Sequence, residues 1–392
     1  MNRKFNCYIC GSTNGGKIFS FKEYPAYILP VPLKIAPTIA KAELPLYLCQ
    51  SCGHMQIPQP DSRIQELIYE NYYNFYVVDS SEALVPHYRT PFIDFLSKLV
   101  IERHLSKGDL LEIGCSSGEK VELLASFSQS YTGIDPSGRI NLAINKFPQH
   151  SFIQGYFPDA IPNKKFDVVV SQFNLEHIQD VRSFLSKIHQ ATNENGILIV
   201  QVPDCGHYLR TEQPNFLAHE HIQYFIKETL TILLRTTGFS PIAWGEEGAS
   251  LIAAAIRTAP HEAELLTAQS NIQKAKAQTN IFNNYPDIPE APLIFYGVGP
   301  QLYWLLSYYK GDLSKCDIID DNPNYENQGL PGYSNIIKRA SKELFQNNKP
   351  IILSLNKIYH ERVIERIKSL AVKCSIYYLK QNSFTILNHK PR

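Results

Sequence analysis

The sequence predicts an α/β protein in which a parallel-type sheet flanked by helices lies between a small cysteine-bearing N-terminal module and a second α/β unit. Three observations predict it. From about Leu96 onward, short apolar runs alternate with amphipathic stretches of helical period, the pattern of a parallel sheet with crossover helices. Two of those runs end in glycine turns, at Gly114 and at Gly297, and each turn has an aspartate about twenty residues further on. Ahead of the alternating region stand two Cys-x-x-Cys pairs, Cys7/Cys10 and Cys49/Cys52.

Length and composition bound the rest. At roughly 100 to 200 residues per domain, 392 residues make about two to four domains. Hydrophobic residues at 44% and charged residues at 19% exclude a disordered chain. Lys plus Arg number 38 against 37 Asp plus Glu, so no polyelectrolyte balance draws the chain to nucleic acid or to a membrane surface. Apolar runs such as Leu251 to Ile256 fall far short of the ~20 residues that cross a bilayer. The N-terminus carries no apolar signal region, so the expectation is a cytoplasmic protein whose partners include neither nucleic acid nor membrane.

In residues 1–65, taken as the first domain, each cysteine pair forms a knuckle whose sulfurs face one ion. Two knuckles supply four thiolates, the closed tetrahedral shell of structural Zn2+, with Cys7, Cys10, Cys49 and Cys52 as ligands. A redox pair is the alternative, and it is disfavoured because neither pair belongs to a thioredoxin-like unit. A proline-rich stretch of this size has too small a core to fold without such a staple.

Residues 66–258 form the second domain, with strands expected at Leu110–Ile113, Tyr131–Ile134, Phe152–Ile153, Val168–Val170, Ile197–Val200, Ile242–Trp244 and Ile252–Ile256. The first strand runs into Glu112-x-Gly114-x-x-x-Gly118, where glycines let a ligand approach the backbone closely. The next strand ends in Gly133-Ile134-Asp135, placing a carboxylate where ribose hydroxyls can donate to it. This is the layout of a nucleoside site. The third glycine of the dinucleotide fingerprint is absent, which favours another adenosine ligand over NAD.

The ordered set resembles the class I S-adenosylmethionine-dependent methyltransferases. The resemblance implies a Rossmann-like sheet in which Glu112, Gly114 and Gly118 form the methionine-side loop and Asp135 holds the adenosine ribose. The stretch Phe166 to His177 looks like the family's fourth strand and the loop lining the sulfonium end, which brings in Asn174 and His177.

After the fifth strand, Phe216-Leu-Ala-His-Glu-His-Ile-Gln-Tyr-Phe225 gathers His219, Glu220 and His221. A histidine with an ordinary pKa of about 6.5 can take a proton near neutrality, and an adjacent carboxylate can orient it. The bland alternative is that these side chains only hydrogen-bond loop backbone. A base here has a use, because a carbon bonded to hydrogen becomes nucleophilic only when the proton beside a carbonyl is removed.

With these residues in view, the whole chain resembles the three-domain nucleotide-sugar C-methyltransferases, built from a four-cysteine zinc module, a central S-adenosylmethionine domain and a C-terminal Rossmann-like domain. The resemblance implies S-adenosylmethionine and structural Zn2+ as cofactors and a nucleotide-linked deoxysugar as substrate. Glu220 and His221 fall on the Glu-His of the family's Tyr-x-Glu-His motif, whose histidine is the general base. His177 falls where the family has a histidine near the methyl donor, and Tyr76 matches a tyrosine that reaches the sugar. The sequence departs from the motif at Ala218, where the family has tyrosine. Either Tyr224 or Tyr76 supplies the missing phenol, or the acceptor is a hydroxyl or amine.

Residues 259–392 read as a linking helix, Ala263 to Phe282, and a second α/β unit. Strands are expected at Leu293–Tyr296, Cys316–Asp321 and Ile351–Leu355, with helices over Leu302–Tyr309 and His360–Ser369. Gly297-x-Gly299 with Asp320 is either a nucleotide turn or a structural one. In the family this domain helps enclose the nucleotide-sugar. A third kind of function, a non-catalytic zinc-ribbon module of a sugar-assembly complex, is opposed by the intact Glu112, Gly114, Gly118 and Asp135.

Overall fold

The computed structural model describes residues 5–71, 85–101, 108–161, 163–211, 216–247, 249–261, 287–370, 375–380 and 383–387. Tyr76 and the expected linking helix over 263–282 lie outside them.

The N-terminal segment folds as a sheet. Strands β1 (Gly15–Pro25) and β2 (Lys41–Cys49) form a long antiparallel pair, β2 pairs with β3 (Met55–Gln56), and the sheet is completed by a strand from much later in the chain. Sequence reading gave no strands here. Two register shifts, between Lys17 and Phe19 and between Phe21 and Tyr24, break the alternation by which a strand is recognised.

After helix α1 (Val85–Ile101), the central sheet carries β4 (Asp109–Ile113), β5 (Ser130–Asp135), β6 (Ser151–Gln154), β7 (Phe166–Gln172) and β8 (Thr192–Pro203). Beyond it come the short β9 (Gln223–Tyr224) and the hairpin of β10 (Phe239–Glu247) and β11 (Ser250–Arg257). The central order is β10-β11-β8-β7-β4-β5-β6, parallel except where β11 runs antiparallel between β8 and β10. All seven expected strands are present.

Both faces of this sheet are covered. Leu111, Ile113 and Val169 enter one core cluster, and Leu110, Val168 and Val170 enter another, as the two-residue period of a strand requires. Helix α2 (Val181–Ala191) shows the matching helical logic, burying Val181, Leu185 and Ile188 along one stripe and starting at Asp180, whose carboxylate accepts from the Ser183 amide at 3.1 Å. Because β4 lies between β5 and β7 and the chain leaves it in opposite directions, its carboxyl end is the crevice where α/β sheets hold ligands.

The C-terminal sheet has the order β14-β13-β12-β15-β16-β17, from β12 (Ile294–Tyr296), β13 (Asp317–Ile319), β14 (Ile337–Lys338), β15 (Ile351–Leu353), β16 (Ile376–Lys380) and β17 (Ser383–Leu387). The expected strands and helices sit within a few residues of helix α3 (Pro300–Leu306), β13 and helix α4 (His360–Ser369). One core joins three remote stretches of sequence: Phe21, Tyr24 and Leu46 from the N-terminal sheet, Phe216 to Ala218 and Tyr224 from the segment after β8, and Leu302 to Leu305 from α3.

Candidate functional site

At the N-terminus the two knuckles meet. Cys7 Sγ lies 3.6 Å from Cys52 Sγ, and Cys10 Sγ lies 3.6 Å from Cys49 Sγ. All four sulfurs lie within 4.8 Å of one another. A tetrahedron of sulfurs about 2.3 Å from a zinc ion has edges of about 3.8 Å, so the cluster has the size of that shell. Each knuckle turns on a glycine in the left-handed region, Gly11 at φ +70 and Gly53 at φ +78, whose amides donate to the carbonyls of Cys7 and Cys49 at 2.9 and 3.0 Å. The Ser51 amide points at Cys49 Sγ at 3.4 Å, a donor aimed at a thiolate. Hydrogen bonding from Cys10 holds the Cys49 thiol low and pushes that of Cys52 up.

At the carboxyl end of β4 the glycine loop is held from several sides. Gly114 has φ +82 and Gly118 φ +81. A Cβ on Gly114 would come within 2.8 Å of Asn174 Nδ2, which itself donates to the Ile113 carbonyl at 3.2 Å. Asn174 thus braces the loop from beneath. Asp135 is 8% exposed and accepts from the Ser116 amide at 2.9 Å and from the Ser137 amide at 2.9 Å, so it builds the rim as well as lining it. Glu112 lies deeper, taking a 2.5 Å hydrogen bond from the Tyr131 hydroxyl, and burial pushes its carboxyl up. Two non-glycine residues adopt left-handed backbone around this crevice, Ser116 at φ 47 and Phe173 at φ 50, and strain of this kind collects at ligand sites.

The segment after β8 lies against the turn after β7, with the Ile222 amide donating to the Glu176 carbonyl at 2.7 Å. It is tied down by the N-terminal sheet: β9 pairs with β3, the Ile57 amide donates to the Ile222 carbonyl at 2.9 Å, and the Tyr24 hydroxyl donates to the Leu217 carbonyl at 3.1 Å. These bonds bring His221 against His177 from the turn after β7, with ring centroids 5.0 Å apart. His177 Nδ1 donates to the Glu220 carbonyl at 2.9 Å, which leaves its Nε2 as the free nitrogen. Burial and the His177 ring push His221 down to about 3.

The segment differs from expectation in three respects. Glu220 joins the histidine pair through its main-chain carbonyl. His219 turns the other way, buried with its Nε2 3.1 Å from the Tyr24 carbonyl, and burial pushes it down to about 4. Tyr224 spends its phenol on the backbone, donating to the Ala218 carbonyl at 3.1 Å, and at 1% exposure it does not face an acceptor. Sequence reasoning passed over Glu176, which is 1% exposed beside His177 and which burial pushes up to about 7. Its only sequence signal was its place next to that histidine.

Residues 68–243 match the family described as a methyltransferase domain. The C-methyltransferase NovU of Streptomyces niveus is 24% identical over 233 residues, 56% of this chain and 53% of that protein. The ubiquinone biosynthesis O-methyltransferase of Azorhizobium caulinodans is 34% identical over 97 residues, 23% of this chain and 38% of that one. The chain thus spans about half or less of these curated relatives. The solved structure of magnesium protoporphyrin IX methyltransferase from Synechocystis PCC 6803 with bound SAH aligns at 17% identity and a TM-score of 0.40, over 50% of this chain and 100% of that one. No helix among the described residues is long and apolar enough to cross a membrane. The α/β unit at the centre of this chain has the class I methyltransferase fold, and its residues 68–243 are similar to the methyltransferase-domain family.

Proposed function

We propose that the chain transfers a methyl group from S-adenosylmethionine to a carbon beside the keto group of a nucleotide-linked deoxysugar, through an enolate. The observation that carries this reading is the meeting of His177, on the turn after β7, with His221, on the segment after β8, each ring spending one nitrogen on the main chain and keeping the other. Oxygen and nitrogen acceptors need less help with their proton. A neutral imidazole is the form that takes a proton, and burial keeps His221 neutral through the physiological range.

In this reading Gly114, Gly118, Asn174 and Asp135 hold the donor, with Glu112 supporting the loop from below. His221 is the base, Glu220 and His177 fix its surroundings, and Tyr76 reaches the sugar. The four cysteines hold a structural Zn2+, which leaves no coordination position for chemistry. Most of the acceleration comes from alignment of nucleophile, methyl and sulfur, which can supply roughly 7–11 kcal/mol.

The likeness to NovU, named a C-methyltransferase, supports carbon as the acceptor. Ala218 and the likeness to an O-methyltransferase support a second reading, in which the acceptor is a hydroxyl or amine of a nucleotide-sugar or glycan precursor.

Incubation with S-adenosylmethionine and a panel of nucleotide-linked 4-keto-sugars and amino-sugars, followed by mass spectrometry, tests both. With methyl transfer blocked by S-adenosylhomocysteine, wild type should exchange the hydrogen beside the keto group for solvent deuterium. His221→Ala should lose that exchange by roughly 10²–10⁴-fold. A methyl ether or methylamine as product, with no exchange in wild type, would replace the first reading by the second.

A further inference from the structure

Glu176 precedes His177 on the short turn after β7 and is 1% exposed. Its carbonyl accepts from the Ile222 amide at 2.7 Å, anchoring the segment after β8, while its Oε2 is buried without a hydrogen-bond partner among the described residues. A buried carboxyl oxygen left unpaired is costly, and its retention calls for a role. One carboxylate oxygen of Glu176 and one ring nitrogen each of His177 and His221 lie within 4.8 Å of one another. Both rings already spend one nitrogen on the main chain, His177 on the Glu220 carbonyl and His221 on that of Phe216. Each neutral ring therefore keeps one lone pair, and the carboxyl of Glu176 stands where it can answer a positive charge on either.

We propose that Glu176 is a positioning residue for proton abstraction, its buried carboxylate opposing the charge that the His221 ring acquires and so letting that ring hold the proton. The inference rests on His221 acting as the base. In the step itself the carbon–hydrogen bond beside the keto group breaks, its electron pair passes into the enolate, and its proton goes to the free nitrogen of His221. The imidazolium formed is balanced by the Glu176 carboxylate, and the proton leaves to solvent after methyl transfer. Two features agree with this. Burial and His177 hold His221 at about 3, too low to keep a proton near neutrality unless a negative charge stands by it. Burial brings Glu176 up to about 7, so its ionisation falls in the working range. The groups facing Glu176 are His177 on its own turn, Glu220 and His221 from the segment after β8, and the thiol of Cys205.

The test uses the full chain with isotope-labelled histidine rings and glutamate carboxyls, titrated by NMR, alongside the deuterium exchange assay. In wild type the His221 ring signals should show a step near pH 7 as the Glu176 carboxyl ionises, and Glu176→Gln should lose that step. Exchange should fall roughly 10- to 100-fold while the acceptor KM stays within about twofold, and Glu176→Asp should recover part of the rate. Unchanged ring titration in Glu176→Gln overturns the proposal. Should that variant not fold, wild type decides: the Glu176 carboxyl signal should move with the titration of His221 and lose that movement in His221→Gln, and a carboxyl that titrates alike in both overturns it. The titrations need no acceptor. A chain that methylates oxygen or nitrogen would be exposed by its product, separately from whether Glu176 and His221 are linked.

Discussion

Gln223 lies directly opposite Gln56 in the antiparallel pairing of β9 with β3, and through it the segment bearing His221 becomes part of the N-terminal sheet. The side chains extend the seam. Gln223 Oε1 lies 2.7 Å from His54 Nε2, its Nε2 donates to the Ile178 carbonyl at 3.0 Å, and Gln56 Nε2 donates to the Asn6 carbonyl at 2.8 Å. Replacing Gln223 by leucine removes its bonds to His54 and Ile178, and a third from its Nε2 to the Gln179 carbonyl at 3.3 Å, and strands buried polar groups on either side. Urea unfolding of Gln223→Leu should show a loss of about 1–3 kcal/mol, and methyl transfer should weaken with it. Stability equal to wild type would mean that the seam carries no strain between sheet and loop.

Metal analysis reads the four-cysteine cluster. The purified chain should hold about one zinc, and Cys49→Ser should lose it together with heat resistance, because a structural site contributes folding free energy. Cys205→Ser, in the core and remote from the cluster, should keep its metal. Equal zinc in wild type and Cys49→Ser would sink the assignment.

The donor loop makes two separable predictions. Gly114→Ala forces a Cβ into Asn174 at a left-handed position, so it should destabilise the loop and abolish donor binding by calorimetry. Asp135→Ala should weaken S-adenosylmethionine by roughly ten- to a hundredfold, the worth of charge-assisted hydrogen bonds. It also releases the Ser116 and Ser137 amides, so melting temperature should drop slightly. Unchanged affinity in Asp135→Ala, or tighter binding of NAD than of S-adenosylhomocysteine, would reassign the site.

Stability should depend on pH through His219. Burial lowers its folded pKa from the ordinary 6.5 to about 4, so between those values the unfolded chain binds a proton that the folded chain refuses. Its contribution is whole above about pH 6.5 and is lost progressively as pH falls toward 4, to a limit of about 3 kcal/mol. The slope of unfolding free energy against pH in that window should flatten in His219→Asn. An identical slope would assign the acid sensitivity elsewhere.

The central sheet was legible because its strands are short apolar runs separated by helical stripes, and each of β4, β7 and β8 lay where its run of Leu, Ile and Val put it. The glycine loop was legible for a related reason: Gly114 and Gly118 occupy backbone that other residues avoid. The N-terminal strands were hidden by their bulges. Contacts between remote segments were hidden altogether, since no spacing in the sequence tells that Tyr224 would spend its hydroxyl on Ala218, or that Glu220 would meet a histidine through its carbonyl. Glu176 escaped notice because burial alone makes it unusual, and burial of a carboxylate cannot be read from its neighbours in the chain.

The completion of the N-terminal sheet by β9 has a bearing on how such chains can be recombined. A hybrid joined near residue 65 would take three strands from one parent and the fourth from another, with Tyr24 then seeking Leu217 and His219 on a foreign loop. Acceptor preference should therefore not travel with the central segment alone. A working exchange has to move residues 15–57 and 216–224 as a pair, and the practical unit of inheritance is the sheet that they share.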